Sequence, residues 1–255
     1  MKISFQKKAG YPTEGIMFFW SMKIETKSPA EVVDHFVPEL FYDFFMVKKG
    51  NIHCVDTDQN SRFVLPRQAL KTLHTHPLTM VLSTPLVLFG ARLSLEFSES
   101  FWEKMTANRF IEQAWAGKEA GDLASFATQV REYIQAHRKN KFPYPMFSKQ
   151  LKESDWLVNF SPRHKRRLYA EAFGLSRKEL LNIHNVQSFL EQVCDFGARA
   201  PRILHHVNPE TYYDQPHLNR SFKKMTGVSP VEYFERNSVL QDNLMSASYN
   251  EIPRG

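Results

Sequence analysis

The apolar positions divide the chain into two regimes. In the first third they fall in short runs rich in aromatic and β-branched residues. These are Phe18 to Ile24, Leu40 to Val47, Asn51 to Val55, Arg62 to Leu65, Thr79 to Leu82 and Leu86 to Leu95. Proline and polar turn residues separate the runs, which predicts an antiparallel sheet curled into a barrel or sandwich. From Glu99 to about Ala136 the pattern turns helical, with Leu123, Phe126, Val130, Tyr133 and Ile134 recurring at i, i+3, i+7, i+10 and i+11. Lys139-Asn140-Lys141-Phe142-Pro143-Tyr144-Pro145, basic and twice broken by proline, reads as a boundary. The pattern predicts an α+β chain with a β-rich part over 1–140, ending in helices, and an all-α part over 141–255.

The all-α part carries one pattern twice. The first copy holds Ser161, Arg167, Tyr169, Gly174, Leu175, Ser176 and Glu179. A constant offset that carries Arg167 onto Arg220 brings the others onto Asp214, Phe222, Gly227, Val228, Ser229 and Glu232. Each position keeps its chemistry: helix cap, guanidinium, aromatic, glycine, aliphatic, helix cap, carboxylate. Ser161 is a good N-cap, and Pro162 suits a first helical position because its missing N–H has no intrahelical partner there. Gly174 and Gly227 read as helix stops, and Ser176–Glu179 and Ser229–Glu232 as capping boxes that open the next helices. Such a repeat implies two similar helical units in tandem.

Cationic residues gather on the helix that opens each copy. The first has Arg163, His164, Lys165, Arg166 and Arg167 in succession; the second has Arg220, Lys223 and Lys224, with Gln215 and Asn219 nearer its start. Leu168, Phe173 and Leu218, Phe222, Met225 can face inward, leaving these polar groups outside. Arginine reads guanine edges in a major groove, and Asn or Gln reads adenine edges. A single charged run is most simply a solvated helix face. The repetition of the pattern favours DNA.

At these residues the chain resembles the AraC/XylS family of bacterial transcription regulators. The stretch from Tyr212 to Tyr233 is similar to that family's C-terminal signature, and Ser161 to Arg167 with Gly174-Leu175-Ser176 to its first helix-turn-helix. The resemblance spans about residues 143–237. It implies two helix-turn-helix units joined by a long helix from Leu180 to about Val193, entering successive major-groove segments. It further implies base-facing positions at Arg163, Arg166 and Arg167, then at Gln215, Pro216, Asn219 and Arg220, with Lys223 and Lys224 on phosphates. Phe89-Gly90-Ala91-Arg92-Leu93 resembles a segment in the N-terminal domain of one subgroup. The expected partners are double-stranded DNA, a small-molecule effector, a second copy through the helices before residue 140, and RNA polymerase if the output is activation.

The chain departs from the family pattern in ways that keep other readings open. Asp155 and Val207 stand where a small residue is usual, and Asn159 and Thr211 replace a turn glycine. Pro209 shortens the helix before the second unit, and Lys165 stands in place of an inward leucine. A relative that has lost DNA affinity and acts through protein contacts is the alternative. A metal-dependent enzyme built on the β-rich part is a more distant one.

Composition changes this picture little. The chain has 255 residues, a formal charge of +6, 42% hydrophobic and 24% charged residues, as in globular proteins, and the charge suits a polyanion. Two cysteines, Cys54 and Cys194, make a disulfide framework implausible and suit a reducing compartment. Lys7, Lys8 and Glu14 interrupt any leader-like apolar run, so a cytoplasmic location is expected, and no stretch approaches the roughly 20 apolar residues that span a bilayer.

Phe18, Phe19, Trp20, Phe41, Phe44, Phe45 and Met46 could line an effector pocket, although such residues are more often core. His74-Thr75-His76 invites a metal reading on a strand, but Pro77 follows, and a turn with solvated imidazoles is expected instead. His205-His206 gives no stronger signal, and Cys54 is expected to be a buried thiol. No catalytic residue, cofactor or metal is assigned.

Overall fold

The computed structural model describes residues 1–56, 61–101, 106–107, 110–112, 120–138, 160–193, 215–235, 240 and 244. Eight strands form one antiparallel sheet: β1 (Lys2–Tyr11), β2 (Ile16–Glu25), β3 (Ala30–Phe36), β4 (Tyr42–Asp56), β5 (Ser61–Val64), β6 (Gln68–Lys71), β7 (Leu78–Leu93) and β8 (Phe110–Glu112). The α-helices among the described residues are α1 (Leu95–Phe101), α2 (Leu123–His137), α3 (Pro162–Phe173), α4 (Arg177–Val193), α5 (Gln215–Thr226) and α6 (Pro230–Glu235). The strand order is β1-β2-β7-β4-β6-β8, with β3 added to β7 and β5 to β4.

The two long strands, β4 and β7, correct the sequence reading, which divides each in two. In β4 the register with β7 shifts between Val47 and Lys49 and again between Lys49 and Asn51. The bulges flip the alternation: Phe45 and Val47 face the same core as Ile52 and Cys54. A reset of this kind looks like a strand end in a one-dimensional pattern. In β7, Pro85 falls between the β2 ladder, which ends at Leu86, and the β3 ladder, which begins at Thr84. Its missing N–H therefore breaks no pairing there. The expected helical stretch from Glu99 is corrected as well, because β8 lies within it and pairs with β6.

The sheet separates two cores. Phe18, Trp20, Met22 and Ile24 of β2 meet Leu78, Met80, Leu82, Leu86 and Leu88 of β7 on the inner face, with Phe36, Phe45, Ile52 and Cys54. Trp20 stacks on Phe5 at 5.9 Å and meets the edge of Phe45 at 5.7 Å. It needs a glycine opposite: a Cβ on Gly90 would lie 2.2 Å from the indole ring.

The other face carries Phe19, Phe44, Phe89 and Ala91, and receives Phe126, Ala127, Val130 and Ile134 of α2. Phe126 stacks on Phe89 at 5.7 Å and meets Phe19 edge-on. The apolar stripe of α2 thus packs inside the chain, and Thr128, Glu132 and Gln135 are exposed. Arg131 fastens α2 to the turn before β2, bonding Glu14 at 2.7 Å and lying 3.7 Å over Tyr11. This guanidinium holds the Glu14 carboxyl below its ordinary pKa. The second core continues through Leu168, Tyr169 and Phe173 of α3, Leu180 to Leu190 of α4, and Phe222 and Met225 of α5.

A cluster of charged side chains is buried beside β4, β6 and β7. Arg92 of β7 bonds Glu39 and, at 3.3 Å, Asp43 of β4; Lys71 of β6 bonds the other Asp43 oxygen at 3.0 Å. None of the four side chains is more than 1% exposed. Two cations face two anions, and Arg92 also lies over the Phe41 ring at 4.3 Å.

Candidate nucleic-acid interface

Each helix that opens a copy of the repeat is bounded by local chemistry. Ser161 is extended, and its hydroxyl accepts from the His164 N–H at 3.3 Å, while Pro162 takes the first helical position. Gly174 stops α3 with φ 74°, donating its N–H to the Ala170 carbonyl. Gly227 stops α5 with φ 80° and donates to the Lys223 carbonyl at 2.8 Å. A side chain at either position would force a residue into left-handed backbone.

The helices that follow open with the same capping box. Ser176 N–H donates to the Glu179 carboxylate at 2.8 Å, and Glu179 N–H donates to the Ser176 hydroxyl at 3.3 Å. Ser229 and Glu232 repeat both bonds at 2.8 Å and 3.3 Å. The two units therefore share caps, stops and turn geometry, as the repeat implies.

Their outward faces both carry cations. On α3, Arg163, Arg166, Arg167 and Ala170 are exposed, whereas Leu168, Tyr169, Ala172 and Phe173 are buried. On α5, Pro216, Arg220, Lys223 and Lys224 are exposed, Asn219 is half-buried, and Phe222, Met225 and Thr226 are buried. Spacings of three and four place each exposed set on one stripe. The offset of the repeat superposes the stripes: Arg163 answers to Pro216, Arg166 to Asn219, Arg167 to Arg220, Ala170 to Lys223 and Glu171 to Lys224. The structure does not describe the side chain of Gln215 or that of Leu218. Lys165, placed where the pattern expects leucine, is half-buried.

Neighbouring groups orient these side chains. Arg167 contacts the His164 ring nitrogen at 3.0 Å and has Glu171 3.7 Å away, a pairing that the sequence reading missed. His164 itself stacks on Phe160 at 4.7 Å. Phe222 is gripped edge-on by Phe189 of α4 at 5.7 Å and by Tyr233 of α6 at 5.4 Å, so α5 is braced on both sides. α3 packs against α1. Asp155, Asn159, Cys194, His205, His206, Val207, Pro209, Thr211, Asp214 and the Lys139–Pro145 boundary lie outside the described residues.

The remaining candidates of the β-rich part occupy different surroundings. The aromatic residues proposed as a pocket lining are divided between the two cores, apart from half-buried Phe41. A cavity of about 210 Å³ lies instead beside Met46, Val47, Lys48, Arg67 and Gln68. The expectation of solvated imidazoles at His74 and His76 is corrected: both are buried, in a loop rather than a strand, and the His74 ring bonds the His76 carbonyl at 2.8 Å. Burial, with Lys71 and His76 nearby, pushes the His74 pKa well below the ordinary histidine value. Cys54 is buried as expected, and burial pushes its thiol up to about 12. Among the described residues no three His, Cys, Asp or Glu side chains are grouped to hold a metal, and no helix is long and apolar enough to cross a membrane.

No protein-family profile and no curated protein matches the chain. Among solved structures it is similar to ToxT from Vibrio cholerae, at 11% identity over 82% of this chain and 98% of that one, with a TM-score of 0.44. It is also similar to unsaturated fatty acid bound ToxT from the same organism, at 10% identity over 83% and 96%, with a TM-score of 0.42. Likenesses of this degree decide neither family nor function.

Proposed function

We propose that this chain is a sequence-specific DNA-binding transcription regulator of the AraC/XylS type. In this reading α3 and α5 are recognition helices of two helix-turn-helix units, α4 joins the units, and the helices enter successive major-groove segments. One observation carries it: two helices with the same glycine stop, each followed by the same capping box, expose stripes that bear six cations, Arg163, Arg166, Arg167, Arg220, Lys223 and Lys224. A core-forming repeat would account for the buried faces alone. It would not require the outward stripes to be cationic.

The stripes divide the labour. Arg163, Arg166 and Arg167 occupy the opening turns of α3, where a recognition helix reaches base edges, and arginine suits guanine O6 and N7. Asn219 and Arg220 hold the same positions on α5. Lys223 and Lys224, one turn further on, suit phosphates, while their counterparts Ala170 and Glu171 do not. The β-rich part would carry regulation through a small-molecule effector or a second copy, and no catalytic turnover is proposed for it.

The test is selection of genomic DNA fragments by the purified full-length chain. The reading expects enrichment of sites with two conserved blocks about 10 base pairs apart, one helical turn. Recovery of fragments with no shared sequence would contradict it.

A further inference from the structure

One arginine of α3 is held in place by its neighbours. His164, Arg167 and Glu171 follow one another at spacings of three and four, which puts them on one stripe of the helix. The His164 ring lies on that of Phe160, just before the helix, with planes 16° from parallel, so the orientation of the imidazole is fixed. Its Nδ1 lies 3.0 Å from Nη2 of Arg167. A guanidinium can only donate, so Nδ1 accepts, and the imidazole is in the neutral form with its proton on Nε2. On the other side, Arg167 Nε lies 3.7 Å from Glu171 Oε1. Among the described residues no such pair holds Arg163 or Arg166.

The arrangement leaves the working edge of the guanidinium open. One N–H at Nη2 goes to His164, and that of Nε faces Glu171. Both N–H groups of Nη1 and the second of Nη2 remain, and they form the fork that meets guanine O6 and N7. The histidine recurs in the other unit: the offset that carries Arg167 onto Arg220 carries His164 onto His217, whose side chain lies outside the described residues. The carboxylate does not recur, since Glu171 answers to Lys224.

We propose, on the DNA-binding reading above, that His164 and Glu171 are positioning residues that aim the Arg167 fork at a guanine edge and withhold it from phosphates. A side chain already oriented at two points loses less rotamer freedom on binding, so its contact discriminates more sharply. Glu171 sets an anion beside a cation offered to a polyanion. It weakens the pull of phosphates of any sequence while leaving the fork free for a base.

Two measurements on the full-length chain test this, the first without DNA. Nitrogen NMR of the imidazole, assigned by its loss in His164→Asn, should show Nδ1 bare and Nε2 protonated at mildly alkaline pH. A proton on Nδ1, or averaging between the two nitrogens, would overturn the pair. The second compares affinity for a duplex recovered by genomic selection with affinity for its scrambled form. His164→Ala should narrow that ratio about fivefold to tenfold, and Arg167→Ala at least as much. The double variant should be no worse than Arg167→Ala alone, because the histidine acts through the arginine. His164→Asn, whose amide oxygen stands where Nδ1 does, should keep most of the ratio. Glu171→Gln should tighten binding to the scrambled duplex and narrow the ratio. Equal losses on both duplexes in His164→Ala, additive losses in the double variant, or no rescue by asparagine would overturn the positioning role. A wild type that discriminates, with His164→Ala unchanged, would do so while leaving the DNA-binding reading intact. A wild type that binds no duplex would sink that reading, and the positioning role with it.

Discussion

The Arg92 guanidinium lies 3.3 Å from the Asp43 carboxylate across neighbouring strands, and neither side chain reaches solvent. Lys71 and Glu39 complete a neutral set of four. Removing one member leaves a buried charge uncompensated, which typically costs about 3–5 kcal/mol. Asp43→Ala should therefore destabilise the chain by about that much in a denaturant titration. Replacing all four by well-packed apolar residues should cost much less. A loss below about 1 kcal/mol for Asp43→Ala would show that the set contributes little.

His74 supplies a pH dependence whose sign follows from its lowered pKa. Between that pKa and the unfolded value near 6.5, the unfolded chain binds the extra proton, so stability falls as pH drops below about 6.5. One such group contributes a slope of at most about 1.4 kcal/mol per pH unit. Thermal or denaturant unfolding at pH 7.5 and 5.5 should show a loss that shrinks in His74→Asn. An unchanged pH dependence in that variant would contradict the assignment.

Cys54 should resist thiol reagents in the native state at neutral pH, because the thiolate is the reactive form and burial disfavours it. Mass mapping of alkylated peptides should find this residue unmodified until denaturant is added. Rapid native labelling of Cys54 would show that the inner core is open.

The local chemistry of helix ends was legible in the sequence. Ser161-Pro162, Gly174, Gly227 and both serine–glutamate boxes act within four residues of themselves, so their roles can be read without tertiary information. The exposed stripes followed from the same periodicity. The long strands were not legible, because the bulges of β4 reset its alternation and Pro85 mimics a strand end. Edge strands β1 and β3 escaped too: β1 is largely polar and exposed, and β3 turns Asp34 inward. Nor could a one-dimensional reading place Arg92, Asp43, Lys71 and Glu39 together, or bury His74 and His76. Those depend on partners distant in sequence.

On the proposed reading, α3 and α5 should not contribute equally to DNA recognition. The opening turns of α3 present three arginines, whereas α5 presents Asn219 and Arg220 followed by two lysines. Alanine at Arg163, Arg166 or Arg167 should cost about 1–3 kcal/mol on the preferred site and relax base choice there. Alanine at Lys223 or Lys224 should weaken matched and scrambled sites alike. Loss of specificity in Arg220→Ala, with the α3 variants still discriminating, would reverse this ranking.

The salt dependence of duplex DNA binding by the full-length chain tests the central claim most directly. If both stripes lie in the groove, the counterions that their cations displace should give a log Kd against log salt slope of about +2 to +5, from the two lysines alone up to all six cations. Affinity should then fall steeply between 50 and 200 mM salt, roughly as those slopes require. A flat dependence, or no binding at the lowest salt, would contradict a DNA-binding role for α3 and α5.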